Sequence, residues 1–216
     1  MRQLATFRCL CAAMVLTLMC AWPFSEAQAE GWTEGGTTPG QWMLGARVGP
    51  TTLTQQLSPN INTATGPALN FQGMYALSNM IMVGLMIEWE RRSVDREGPR
   101  LDLGSMDTVS FLPTIEVRPG HLGAFYPYGS MSMGVNFNSF SEDNRIGSRI
   151  SPSDNFAFRL AAGGDYFITK TLALNTELAW KRNDGHATIS PGIAGLNPSD
   201  WNASSFNFLL GVRWFF

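Results

Sequence analysis

The strongest constraint on the fold of this chain is a period of two. Residues 206–216, FNFLLGVRWFF, place Phe206, Phe208, Leu210, Val212, Trp214 and Phe216 on one side and Asn207, Leu209, Gly211, Arg213 and Phe215 on the other. Successive side chains of a strand point to opposite faces, whereas a helix repeats every 3.6 residues. The same alternation occurs in seven further stretches, at about 41–50, 67–77, 80–91, 108–119, 124–138, 155–167 and 171–182. In the third, Ile81, Val83, Leu85, Ile87 and Trp89 oppose Met82, Gly84, Met86, Glu88 and Glu90. Eight such stretches predict an all-β chain. Pro113 and Pro127 fall inside two of them, and the ladder donor that proline lacks predicts bulges or edge irregularity there.

The connections between these stretches alternate in length. Long polar segments lie at roughly 51–66, 92–107, 139–154 and 183–204, and brief turns near 78–79, 120–123 and 169–170. One tight end and one elaborate end predict an antiparallel up-and-down barrel. In transmembrane barrels the short turns are periplasmic and the long loops extracellular. A soluble lipocalin-type barrel would instead bury the apolar face. Two observations favour lipid.

First, the polar face is small, with Gly45, Gly84, Ser130, Ser132, Gly134, Gly163 and Gly211 among its members. A surface in water favours interspersed lysine and glutamate, while an eight-stranded interior holds small groups and a few paired charges. Second, aromatics on the apolar face gather at the strand ends. Trp42, Tyr75, Phe125, Tyr166, Trp214 and Phe216 fall at the turn end, and Trp89, Phe137, Phe156, Trp180 and Phe206 at the loop end. Two girdles suit two membrane–water interfaces. The expected fold is an eight-stranded antiparallel transmembrane β-barrel over residues 41–216.

Residues 1–29 read as a cleaved signal peptide: Arg2 and Arg8, the apolar run CLCAAMVLTLMCAW, then Ala27-Gln28-Ala29 as cleavage site. Residues 30–40 form a short Gly/Thr leader, expected in the periplasm. All three cysteines lie within the signal, so the mature chain is expected to have no disulfide. Removing Arg2, Arg8 and Glu26 leaves 13 basic and 16 acidic residues, without the basic patch that nucleic acid requires.

Strand parity turns Arg47, Arg118, Arg159, Lys181 and Arg213 inward with Glu88, Glu90, Glu116, Asp165 and Glu177. An unpaired charge in so narrow a lumen would cost several kcal/mol, so pairing is expected. Two readings remain open: an ion-pair plug that fills and stiffens the barrel, or a narrow polar path whose charges select solutes. The two histidines, His121 in a short turn and His186 in the last loop, lie off the strands. No nucleophile motif or metal-ligand set stands out, and neither enzyme activity nor a metal or cofactor is expected.

The segments PYGSMSMGVNF, FAFRLAAGGDYFITKTLALNTELAW and LLGVRWFF resemble the small eight-stranded barrels of the OmpA/OmpX/OmpW-like superfamily, and the first, with FLPTIEV, is most similar to OmpW. The resemblance implies an integral protein of a Gram-negative outer membrane, in contact with lipid and lipopolysaccharide. It implies a terminal signal, Val212, Trp214 and Phe216, read by the outer-membrane insertion machinery. The expected role is a non-enzymatic envelope or surface-interaction protein whose loops 139–154 and 183–204 meet an extracellular or envelope partner. An OmpW-like narrow channel for small, largely apolar solutes is the alternative. A lipid A-modifying enzyme ranks third, because no strand carries a histidine.

Overall fold

The computed structural model describes residues 37–57, 61–96, 101–143, 149–190 and 199–216. The expected signal peptide, most of the leader and residues 191–198 of the last loop lie outside them. The described strands are β1 (Trp42–Leu53), β2 (Ile61–Thr63), β3 (Gly66–Ala76), β4 (Ile81–Arg96), β5 (Leu101–Val117), β6 (Phe125–Glu142), β7 (Arg149–Pro152), β8 (Asn155–Phe167), β9 (Leu172–Arg182), β10 (Asp184–Ser190), β11 (Ser199–Asn202) and β12 (Ser205–Phe215).

Eight of them build a closed antiparallel barrel in the order β1, β3, β4, β5, β6, β8, β9 and β12, with β12 pairing back onto β1. Each neighbour follows in sequence, as short connections favour. Closure leaves the barrel wall without an edge strand. β2 adds to β4 above the barrel, and β7, β10 and β11 form a small second sheet.

Two expectations are corrected. Residues 92–107 are not a long loop: β4 runs to Arg96 and β5 starts at Leu101, so only 97–100 connect them. Segments 139–154 and 183–204 likewise carry strand residues, in β6, β7, β10 and β11. At the prolines there is irregularity but no bulge, and the register is kept. β5 and β6 lose pairing at Leu112 and Pro113 and resume it unchanged at Thr114↔Ser132. The Thr114 hydroxyl donates to the Leu112 carbonyl at 2.8 Å, a side-chain bond in place of a ladder bond. Pro127 lies beyond the last β5–β6 pair, Val117↔Gly129, where no donor is needed on that side. The register shift sits instead between Val94 and Asp95, opposite Gly104, whose φ of 125° suits glycine.

Alternation settles which side faces out. Phe71, Leu85, Phe111, Phe156, Leu178 and Leu210 are exposed on the outer wall, while Asn70, Glu88, Ser110, Arg159, Glu177 and Asn207 are buried within. On β4 the outer apolar run spans Ile81 to Trp89, close to the 9–11 residues with which a tilted strand crosses a bilayer. Backbones approach closely where β12 meets β1: a Cβ on Gly211 would lie 2.0 Å from the Ala46 carbonyl oxygen. Gly211→Val is therefore expected to prevent closure, seen as loss of the compact, heat-modifiable band in electrophoresis of the refolded protein.

Candidate functional site

The lumen is layered. At the turn end Met43, Met74, Ala76, Met82, Phe167, Ala173 and Phe215 pack into a buried apolar disc, with Tyr126 against it. Seven of the eight barrel strands contribute to it. At the loop end Leu57, Val94, Leu103, Met106, Trp201 and Ala203 form a second buried cluster. The charges lie between these apolar layers.

All ten charges assigned inward by parity are buried, each at most 2% exposed. Nearest the disc, Arg213 makes a two-pronged contact with Glu116 at 3.1 and 2.9 Å and reaches Asp165 at 3.0 Å. Arg118 bonds Glu116 at 2.8 Å and Asp165 at 2.5 Å. In the middle, Glu177 accepts Arg47 at 2.5 Å and Arg159 at 2.6 Å. Arg47 also donates to Asn70 at 2.6 Å and Gln72 at 2.9 Å. Arg159 comes within 3.2 Å of Glu88. Towards the loops, Lys181 bridges Glu88 and Glu90 at 3.1 and 3.0 Å. Removing charges from water is costly, and such shared, fork-like contacts are what offset it.

Sequence reasoning missed two central members. Arg92 is 2% exposed, pairs with Glu90 and donates to Thr51 at 2.6 Å. With it, the buried charges described number six basic and five acidic. Parity would have assigned Arg92 inward had the third stretch been extended past residue 91. Tyr128 is the other. Its hydroxyl donates to Glu177 at 3.0 Å and accepts from Asn175 at 3.0 Å, while the Arg213 guanidinium lies 4.2 Å from its ring centre. Asn175 in turn donates to Asp165 at 2.7 Å. Tyr128 thus joins the inner and middle charge groups. Gly163 makes room for it, since a Cβ there would lie 2.6 Å from the phenol oxygen. Tyr128→Phe should lower stability by about 2 kcal/mol, because a bond to a charged acceptor is lost in a buried site; urea unfolding in lipid measures it.

An uncharged ladder leads from the charges towards the loops. Lys181 donates to Ser110 at 3.1 Å, Ser110 to Asn136 at 2.7 Å and Asn136 to Asn155 at 2.9 Å. Asn155 donates to Asn183 at 2.7 Å, and Asn183 to Asn138 at 3.0 Å. Inward asparagines were visible in the sequence, but the bonds between them depend on register across four strands, β5, β6, β8 and β9.

The expected girdle residues all stand on the outer wall. Trp42 pairs with Tyr75, rings 5.0 Å apart, and Phe125 pairs with Tyr166. Trp89 and Phe137 flank Val109, and Phe206 pairs with Trp180. Phe156 pairs with Val135, and Trp214 with Leu44. Beyond Trp89 the wall turns polar: its indole donates to Asp107 at 3.1 Å, and Arg91 donates to Ser105 at 3.0 Å. Val212 and Phe216 continue the outer face of the last strand. His121 is exposed and stacks on Tyr126, and His186 is exposed and pairs with Asp200 at 2.5 Å.

Solved structures share this architecture. The outer membrane protein OprG from Pseudomonas aeruginosa superposes with a TM-score of 0.64 at 20% identity, over 84% of this chain and 98% of that one. The fold is that of the small eight-stranded outer-membrane β-barrels. Outer membrane protein AlkL, determined in lipid bilayers, gives 0.57 at 15% identity over 90% and 96% of the two chains. Neisserial surface protein A gives 0.53 at 13% identity over 81% and 95%. No family model and no curated protein matches the sequence. As an outer-membrane barrel fold, the chain has an apolar outer wall and a charge-filled lumen.

Proposed function

We propose that this is an integral outer-membrane protein with a sealed lumen, non-enzymatic, whose loops carry an envelope or surface-interaction role. One observation carries the reading: a fully buried, mutually paired charge network lies between two apolar layers. An aqueous pore keeps its charges wet and its axis open. Here Arg118 sits over the Phe215 ring, 5.3 Å from its centre, so the innermost charges rest directly on the disc. Such a lumen stiffens the wall and leaves the loops to meet the partner.

Under this reading the outer aromatics anchor the barrel at two lipid interfaces, and Val212, Trp214 and Phe216 serve the insertion machinery. Residues 1–29 direct export and are removed. Lipid and lipopolysaccharide surround the wall, and the partner is met through 139–154 and 183–204.

The test is conductance of the purified full-length barrel in planar bilayers. The expected record shows no steady openings. Steady openings abolished by Glu116→Ala or Arg159→Ala would overturn the sealed reading in favour of a narrow solute channel. Overexpression should also leave lipid A mass unchanged; a shifted mass would restore the enzyme reading.

A further inference from the structure

Charge is unevenly balanced along the lumen. Near the disc, Arg118 and Arg213 face Glu116 and Asp165, two against two. Above them, Arg47, Arg92, Arg159 and Lys181 share Glu88, Glu90 and Glu177, four against three among the described residues. The surplus cation therefore belongs to the upper group. Within it, Arg159 commits Nη2 to Glu177 at 2.6 Å and sets Nε 3.2 Å from Glu88, which leaves Nη1 buried without a hydrogen-bond partner. Arg118 Nη1 and Ser130 Oγ are buried without one as well. The residues themselves are 0%, 2% and 7% exposed, in the order Arg159, Arg118, Ser130.

Register brings these three donors together. On the inner wall Ser130 stands opposite Glu116 of β5 and Ala161 of β8. Arg118 lies two residues beyond Glu116 towards the turns, and Arg159 two residues from Ala161 towards the loops. Arg118, Ser130 and Arg159 thus follow one diagonal across three adjacent strands, a spacing that long side chains span. Glu116 on that rung is already shared by Arg118 and Arg213, and Ser132 beside it is held by Thr114 at 2.9 Å. We propose that this diagonal binds a single small monovalent anion of chloride size, with the guanidinium groups of Arg159 and Arg118 and the Ser130 hydroxyl as donors. This goes beyond the surface role, since it concerns the lumen and not the loops. Water would also accept from these groups, but it leaves the surplus positive charge buried and uncompensated, which is costly. A halide accepts from all three donors and supplies the one negative charge that the upper group lacks.

The experiment is crystallisation of the full-length barrel refolded with bromide in place of chloride, read by anomalous scattering at the bromine edge. One bromide peak within hydrogen-bond reach of Arg159 Nη1 and Ser130 Oγ is expected. Density there without an anomalous peak would overturn the inference. Peaks strung along the axis would do so too, by showing a hydrated pore. In parallel, urea unfolding in lipid is followed as chloride replaces gluconate at constant ionic strength. Raising chloride to about ten times its Kd should shift the equilibrium about tenfold towards the folded barrel. Ser130→Ala removes one donor to a charged acceptor and should raise the chloride required about tenfold, with the heat-modifiable band unchanged. Folding indifferent to chloride, or a chloride dependence identical in Ser130→Ala, would also overturn the inference.

Discussion

Glu177→Ala is expected to destabilise the barrel by about 3–5 kcal/mol, the range for breaking a buried ion pair from one side. Glu177 is 1% exposed and neutralises two guanidinium groups, Arg47 at 2.5 Å and Arg159 at 2.6 Å, while accepting the Tyr128 hydroxyl. After truncation Arg47 keeps Asn70 and Gln72, which are neutral, and Arg159 keeps Glu88 at 3.2 Å. Two cations are then left against one nearby carboxylate in a site shielded from water. Glu177→Gln retains the shape and one acceptor and should lose less. Urea unfolding in lipid, followed by the gel shift of the folded band, gives both values. A loss within about 0.5 kcal/mol for the alanine variant, the size of an ordinary surface change, would mean that the lumen charges are hydrated rather than mutually paired.

Leu210→Arg is the complementary experiment on the outside. Leu210 is 51% exposed on the outer wall at mid-strand, paired with Val48 on β1 and Thr176 on β9. If hydrocarbon covers that wall, an arginine at mid-height costs about 2–4 kcal/mol. The same change at Trp214, near the turn end, should cost about 0–1 kcal/mol of membrane penalty. A barrel standing in water would show no such depth dependence, since exposed substitutions there are mostly neutral. Comparing the two variants by unfolding in bilayers separates burial in lipid from loss of packing.

Much of this architecture could be read from the sequence, because a period of two carries face as well as secondary structure. The inward position of Arg47, Arg118, Arg159, Lys181 and Arg213 and of the five carboxylates follows from parity alone. What escaped lay where the apolar signal stops. Past Trp89 the strand reads Glu90-Arg91-Arg92-Ser93, so Arg92 and the extension to Arg96 leave no apolar outer face to follow. The β7–β10–β11 sheet falls in segments whose polar composition resembles loops, and its pairing is set by contacts far apart in sequence. Tyr128 had the right parity, but its role depends on Gly163 and Glu177 standing opposite it, a matter of register. The prolines mark irregular pairing, as expected, but not bulges. An interruption in hydrogen bonding was foreseeable, yet a ladder held on its second side keeps its register.

The central claim, hydrocarbon outside and charge inside, is tested most directly by a cysteine scan along β12 with a lipid-soluble quencher. The three native cysteines all precede residue 21, so a chain processed at Ala29 starts without thiols. Probes at 206, 208, 210, 212 and 214 should be quenched from the bilayer, and probes at 207, 209, 211 and 213 should not. Quenching in the opposite phase, or without alternation, would contradict the account.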